Sequence, residues 1–566
     1  MAPGILYVTM QPKPELSKEA FEDWYNNEHG PLRLRLSFCN NGFRFRATDL
    51  EGMGKGKHEW MAVYDMTNLE DLNGDEYKKL RGPPVQTQRE TDLRPLLDID
   101  RKSFDFIDEW KADDYQPLDR IGAEQGGGVA LRAMLVTLQP GANVEHLDRW
   151  YYEEHIVLLK EVPGWRRTRR FKTSTIEGRE TTEYLALHEF TRENGLGGPE
   201  HQAASSTLRA KWIQSEMLAD RSARAYEHYY TFGPAPRHIS TVSNWSSPAT
   251  LTRSIAPSAD TTHSAIESYV STPDGAKLQY RLEGSSSPSA PVVLCITSIL
   301  AHYEIYDSFT EQFLKQNPQY RVLRYLSRGR TSSIGTTSPI TLDTLTQDAV
   351  QLLSALRIPS VALAIGVSLG GATVLNLGLT HPTRVPVFLA CDTNPSAPPS
   401  NPKAWGERIA QAEADTEAAS SSAASDPFSA TVIDKDDRPV GPALASATAD
   451  RWFPQSSSSD SSIRPRIEQV RSRIASNSLR GFKASVKALY DYDMSHRLAG
   501  CKAKGAFLVG EEDGKLPAAM RDMASKLGDG KDSVGVKLTV VPGAGHLPMV
   551  DRPGDVVRAV EEMLHG

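Results

Sequence analysis

Two rhythms of apolar residues divide the 566-residue chain. Up to about residue 232 the runs are short and alternating, as in Phe104–Asp108 (FDFID) and Tyr226–Tyr230 (YEHYY), with stretches of helical spacing between them. Period two marks a strand with one buried face, and recurrence every three to four residues marks an amphipathic helix. From about residue 263 the runs become continuous: Val292–Thr297, Arg321–Leu326, Val361–Ile365, Val387–Cys391, Gly505–Val509 and Lys537–Val541. Before them, Ile266–Val270 and Lys277–Leu282 alternate around the turn Pro273-Asp274-Gly275, and Thr344–Leu356 reads as a helix. Continuous apolar strands separated by helices predict a parallel sheet covered on both faces. Residues 233–262 are rich in Ser, Thr and Pro, show no apolar period, and read as an extended linker. At about 394–493 the later pattern is interrupted by helical stretches (Trp405–Ala412, Ile463–Ile474) and serine- and alanine-rich pieces (Glu417–Ser425, Ser456–Ser462). An insertion there is placed to act as a lid, and its serine-rich pieces read as mobile surface loops.

The first third repeats itself. VTMQP at Val8–Pro12 returns as VTLQP at Val136–Pro140, and FEDWYNNEH at Phe21–His29 as LDRWYYEEH at Leu147–His155. NGFRFR at Asn41–Arg46 answers PGWRRT at Pro163–Thr168, and EWMAVYD at Glu59–Asp65 answers EYLALHE at Glu183–Glu189. Each unit reads strand, helix, two strands, helix, strand, the ferredoxin-like split βαβ pattern. Phe21, Trp24, Tyr25, Glu28 and His29 share one helical face, which Gly30-Pro31 is expected to terminate. The copy has Leu147, Trp150, Tyr151, Glu154 and His155 at the same offsets and no Gly-Pro. His29, His155, Trp24 and Tyr25 make a candidate barrel site. Two readings stand for the histidines: a general acid or base in a cavity, or a structural imidazole tied to Glu28 or Glu154 or to the backbone. If one unit alone is active, the missing Gly-Pro points to the first.

Through the W-Y-x-x-E-H helix this region resembles the dimeric α/β-barrel superfamily, and most closely its EthD-like branch. The resemblance implies an internal pseudo-dimer, with units at 1–118 and 128–232, packed sheet to sheet around a cavity that often receives an aromatic or polyketide ligand.

Composition narrows the function class. Hydrophobic residues at 39% and charged residues at 24% describe a soluble globular protein, and the length calls for two to four domains. A net charge of −7 gives no case for nucleic acid or an anionic membrane as partner. No apolar run spans a bilayer, and neither end reads as a targeting signal. Cys39, Cys295, Cys391 and Cys501 are far apart, which argues for a reducing compartment, with cytoplasm the default, and against zinc or disulfides.

The chemistry centres on SVALAIGVSLGGATVLNLGL at Ser360–Leu379. An apolar strand meets Gly366-Val367-Ser368-Leu369-Gly370 and a helix follows, the setting a G-x-S-x-G nucleophile elbow needs. The plainer reading is a serine capping a buried helix. Two downstream residues decide for the elbow. Asp513 follows the strand Gly505–Val509, and His546 follows Lys537–Val541, giving the order Ser, Asp, His at strand ends. Asp392 is the reserve acid, ahead of Glu511 and Glu512. The backbone N–H groups of Leu369 and Ile299 are the expected oxyanion hole.

From about residue 264 the chain resembles the α/β-hydrolase superfamily, and within it the 3-oxoadipate enol-lactonases. SRGRTSS at Ser327–Ser333, the elbow, THPTRV at Thr380–Val385, AWGERIA at Ala404–Ala410, DRWFP at Asp450–Pro454, GFKASVKALYDYD at Gly481–Asp493 and GEEDGKLP at Gly510–Pro517 carry the resemblance. Leu326 stands where such enzymes have Asp, and Thr297-Ser298-Ile299-Leu300 replaces the usual oxyanion loop. The expectation is thus α+β tandem ferredoxin-like repeats followed by an α/β-hydrolase fold at 263–566 with a helical lid. The resemblance implies a serine hydrolase that needs no metal or organic cofactor and cleaves a lactone or ester of a small aromatic-derived or polyketide-type acid. Two alternatives remain, a non-hydrolytic receptor and a barrel-centred decarboxylase or cyclase using His29, and further self-association is left open.

Overall fold

The computed structural model describes residues 3–122, 126–258, 263–415, 434, 436–528 and 536–565. The chain forms two compact units, Met1–Pro236 and Arg237–Gly566. The Glu417–Ser425 stretch lies outside the described residues.

The first unit is a closed barrel of eight antiparallel strands: β1 (Gly4–Pro12), β2 (Cys39–Ala47), β3 (Trp60–Met66), β4 (Leu97–Lys111), β5 (Ala130–Leu138), β6 (Trp165–Thr173), β7 (Glu183–Phe190) and β8 (Leu218–Thr231). Around the barrel the order is β1-β3-β2-β8-β5-β7-β6-β4. Within each half the order is therefore fourth, first, third, second. The halves join where β2 pairs with β8 and β4 with β6. Alternation sends Ile5, Tyr7, Phe43, Phe45, Phe104, Phe171 and Tyr226 to a common interior core, to which all eight strands contribute. The cavity expected between the sheets is thus a packed core instead. The opposite face, Leu6, Val8 and Met10 among others, packs against helices outside the wall.

Gly30-Pro31 does not end the first helix. Lys18–Trp24 continues through a π turn, Tyr25–His29, into Gly30–Arg33. The wide turn closes with the Gly30 N–H on the Tyr25 carbonyl. Pro31 follows at a point where a missing N–H costs little. The copy does the same without proline, through Val144–Trp150, Tyr151–His155 and Ile156–Leu159.

The second unit is a ten-stranded sheet with order β18-β17-β16-β15-β13-β14-β12-β11-β10-β9. Its strands are β9 (Trp245–Ser247), β10 (Thr252–Ile255), β11 (Ser264–Ser271), β12 (Lys277–Gly284), β13 (Val292–Ile296), β14 (Arg321–Tyr325), β15 (Leu363–Val367), β16 (Val387–Cys391), β17 (Lys504–Gly510) and β18 (Leu538–Val541). The continuous apolar runs form the parallel part, β14-β13-β15-β16-β17-β18, and β9 to β12 extend it antiparallel. The segment read as a linker holds β9 and β10, which pair onto β11 through Ser254–Ile266. Their buried positions are Ser247, Thr252 and Ser254, with the Thr252 hydroxyl hydrogen-bonded to that of Ser268 at 2.7 Å, so no apolar period announced them.

Between β16 and β17 the insertion supplies helices Asn401–Ala414, Pro442–Trp452, Arg464–Ala475 and Leu479–Ser485. The serine run at 456–462 is not all loop: Gln455–Ser459 is a short helix, with Ser457 fully buried. All four cysteines are free and buried. Among the described residues no helix is long and apolar enough to cross a membrane.

Candidate active site

Ser368 stands between β15 and the helix Leu369–Thr380 with φ 58° and ψ −117°. A side chain held at positive φ is strained, and strain of this kind persists only where the surroundings fix it. They do so here. The Ser368 N–H donates to the Cys391 carbonyl at 2.9 Å, and the Thr393 hydroxyl donates to the Ser368 carbonyl at 2.8 Å. The flanking glycines are obligatory. A Cβ on Gly366 would lie 2.2 Å from the Gly370 carbonyl oxygen, and one on Gly370 would lie 2.4 Å from that of Ile296. The Ser368 side chain makes no capping bond to its own helix and lines a cavity of about 230 Å³.

Asp513 and His546 line the same cavity. The loop after β17 presents Asp513, whose Oδ2 accepts from His546 Nδ1 at 2.7 Å. The His546 N–H donates to the Trp452 carbonyl at 2.8 Å, and the Trp452 ring lies against the imidazole. With Nδ1 engaged, Nε2 is the nitrogen left for the Ser368 hydroxyl. The structure therefore brings the three residues singled out in the sequence to one wall.

Asp392 belongs to this cluster in another capacity. It follows β16 at φ 44°, is buried, and lines the cavity behind Asp513. Its Oδ1 accepts from the Gly510 N–H at 2.8 Å, while Oδ2 has no donor and faces Asp513. Burial and the neighbouring Asp513 charge push the Asp392 carboxyl far above its ordinary range. Burial also raises Asp513, but the His546 charge and hydrogen bond, with a proton from Asp392, hold it below that range. Asp392 is thus the neutral acid, and Asp513 the charged one on the imidazole. The ligand atoms of Asp392, Asp513 and His546 lie within 4.8 Å of one another, a spacing that could hold a metal. Asp513 is hydrogen-bonded to His546, and the buried Asp392 carboxyl faces it from the other side.

Leu369 and Ile299 both line the cavity. Leu369 opens the helix, where its N–H is free of the ladder. The loop bearing Ile299 is shaped by residues to which the sequence reading gave no role. Arg330, 1% exposed, donates to the Ser298 carbonyl at 3.0 Å and the Ala301 carbonyl at 3.3 Å. Asn477 donates to the Leu300 carbonyl at 2.8 Å, and Leu300 sits at φ 61°. Burial lowers the Arg330 guanidinium to about 9. Arg330 stood in view within SRGRTSS, but nothing in that string says which loop it holds.

The insertion roofs the cavity with Trp405, Arg408, Arg451, Trp452, Leu489 and Tyr492. Arg408 lies over the Trp405 ring, 4.5 Å from its centroid. Burial, then the nearby Arg408 charge, lowers Arg451 to about 10. Two cations therefore line the cavity opposite Ser368. Both lie in strings that carried the resemblance, AWGERIA and DRWFP.

In the barrel unit the histidines part company. His29 Nδ1 bonds Glu90 at 3.2 Å, and Trp24 and Tyr25 surround the ring with centroids 4.8 Å away. The tie is to Glu90 and not to Glu28, which accepts from Thr87 instead. His155 Nδ1 donates to the Ala204 carbonyl at 3.1 Å, and the ring stacks on Trp150. Glu154 accepts from Thr207. Burial lowers His29 and His155 to about 4 each, so both imidazoles are neutral. A cavity lies beside His155, in the second half, contrary to the expectation that favoured the first.

Residues 300–560 match the Alpha/beta hydrolase family, and the second unit thus contains an α/β-hydrolase domain. No curated protein matches the chain. Among solved structures it is similar to a hydrolase from Pseudomonas aeruginosa PA01 (25% identity, TM-score 0.43, covering 53% of this chain and 98% of that one). It is also similar to the enol-lactonase from Burkholderia xenovorans LB400 (21%, 0.43, 53% and 100%). A third is a thermophilic esterase from Thermogutta terrifontis with malate bound (20%, 0.41, 53% and 97%).

Proposed function

We propose that the α/β-hydrolase domain cleaves an ester or lactone of a small acidic molecule through an acyl-enzyme on Ser368. The observation that carries this is the strained Ser368 sharing a cavity wall with the 2.7 Å His546–Asp513 pair. Ser368 Oγ attacks the carbonyl carbon as its proton passes to His546 Nε2, and Asp513 holds the tautomer and stabilises the imidazolium. The oxyanion is received by the N–H groups of Leu369 and Ile299. His546 then protonates the leaving oxygen, and water resolves the acyl-enzyme by the same path in reverse. Arg408 and Arg451 suit a substrate with a free carboxylate, and Trp405 and Trp452 suit a flat, aromatic-derived or polyketide-type skeleton. The N-terminal halves, each with strand order fourth, first, third, second, are read as ferredoxin-like repeats.

A fluorophosphonate probe tests the chemistry: labelling of the wild type should vanish in Ser368→Ala. A wild type that takes no label, or a variant that still labels, removes the serine mechanism and leaves a binding domain. The substrate class is tested by comparing p-nitrophenyl acetate with mono-p-nitrophenyl glutarate. Arg451→Met should raise KM for the acidic ester alone, and an equal effect on both esters excludes the charge reading.

A further inference from the structure

The imidazole on which the proposed hydrolysis depends stands clear of the sheet. β18 ends at Val541, and His546 follows five positions later. As far as Ala544 the loop is tied to strand ends: the Ala544 carbonyl accepts from the Glu512 N–H at 2.9 Å, and its N–H donates to the Val541 carbonyl at 3.3 Å. Beyond it the partners lie elsewhere. The His546 N–H donates at 2.8 Å to the carbonyl of Trp452, the last residue of the insertion's helix Pro442–Trp452. The Trp452 ring lies against the imidazole, with centroids 5.5 Å apart. Gly545 has no slack here, because a Cβ on it would fall 2.2 Å from the same carbonyl oxygen.

The remaining tie runs through a carboxyl. The Gly545 N–H donates to Asp551 Oδ2 at 2.8 Å. Asp551, 2% exposed, ends the short helix Pro548–Asp551. From the insertion, the Ser457 hydroxyl faces this carboxyl. Asp551 Oδ1 and Ser457 Oγ are both shut off from water and have no other hydrogen bond among the described residues. Burying a hydroxyl costs stability unless it is bonded, and alanine would fill the same space without that cost. Ser457 is fully buried in a run of serines whose composition suits solvent. The carboxyl it faces accounts for a hydroxyl at that one place.

The imidazole must reach Asp513 and Ser368 at once, and a shift of about 1 Å in a reacting group can cost about a hundredfold in rate. We propose that Ser457 and Asp551 are positioning residues for His546. The serine fixes the carboxyl, the carboxyl fixes the Gly545 N–H, and the insertion thereby sets how the imidazole is presented. Neither residue is among those that line the cavity. The effects on rate rest on the serine-hydrolase reading above, and the geometry does not.

The test uses the full-length chain and two readouts. The first is the proton NMR resonance of His546 Nδ1–H, moved downfield by its bond to Asp513 and assigned by its loss in His546→Ala. The second is steady-state hydrolysis of p-nitrophenyl acetate. Ser457→Ala should broaden or remove the resonance and lower kcat about tenfold or more, with KM within about twofold. Asp551→Asn keeps an oxygen for Gly545 and offers an N–H to Ser457, so it should retain the resonance and most of the activity. Asp551→Ala should lose both. Ser457→Ala added to Asp551→Ala should cost nothing further, because the serine acts through the carboxyl. Thermal melting identifies a variant that does not fold, and Ser457→Ala and Asp551→Asn decide without Asp551→Ala. A resonance and kcat unchanged in Ser457→Ala overturn the proposal. So do equal losses in Asp551→Asn and Asp551→Ala, or an additive double variant. A wild type that shows the resonance but hydrolyses nothing removes the serine mechanism alone, and the NMR comparison still decides the positioning.

Discussion

Asp392→Asn separates the two carboxylates of the proposed active site. In the folded protein Asp392 holds its proton: one oxygen accepts from Gly510 and the other faces the Asp513 carboxylate. Asparagine keeps that pattern, with an amide oxygen for Gly510 and an N–H for Asp513, at nearly the same volume. Ester hydrolysis should therefore stay within a few-fold of wild type. Asp513→Asn should lower kcat by about 10⁴, because the imidazole loses the tautomer it needs. Stability moves in a defined direction. A carboxyl raised in the folded state retains a proton that the unfolded chain has released, so stability falls as pH rises above the ordinary carboxylate range. The slope is at most about 1.4 kcal/mol per pH unit while Asp392 stays protonated. Asp392→Asn abolishes this loss, and its advantage over wild type should grow from pH 5 to pH 8. Asp513, held low, acts in the opposite sense and loses its contribution as pH falls. Urea unfolding of wild type and Asp392→Asn at both pH values, beside initial rates on a p-nitrophenyl ester, measures both effects. A fall in rate of several orders of magnitude for Asp392→Asn, or a stability difference independent of pH, would refute the assignment of the proton.

Gly370→Ala should abolish fluorophosphonate labelling, because the new methyl would sit 2.4 Å from the Ile296 carbonyl oxygen and either the elbow or β13 must shift; full labelling would show that the turn has slack. Arg330→Met should lower kcat with little change in KM, since it frees the Ser298 and Ala301 carbonyls that shape the Ile299 loop; a change confined to KM would place Arg330 in substrate binding instead. Phe232→Ala should cost about 3–5 kcal/mol in unfolding free energy, the usual range for emptying a buried aromatic site; a cost under 1 kcal/mol would mean that Tyr64 and Arg44 collapse into the space.

The elbow could be read from the sequence because its glycines are dictated by local backbone contacts, and local contacts write themselves into adjacent letters. The same holds for the parallel strands, buried on both faces and so apolar throughout, and for Asp513 and His546, each one turn past a strand. What escaped notice depends on distant partners. Arg330 reaches residues 29 and 32 positions earlier, and Asn477 reaches one 177 positions earlier. Residues 245–255 pair at the sheet edge and bury serine and threonine on their inner face, so no apolar alternation marks the strands. Gly30-Pro31 misled for a related reason. The pair has the composition of a helix stop, but its glycine answers to Phe232, some two hundred residues away.

Because β2 binds β8 and β4 binds β6, the wall of the N-terminal unit is a ring made of two arcs. Neither arc is a candidate for independent existence. Separating them would bare four rows of unsatisfied amides at once and invite pairing with foreign strands. The two joints therefore have to hold together for the ring to close.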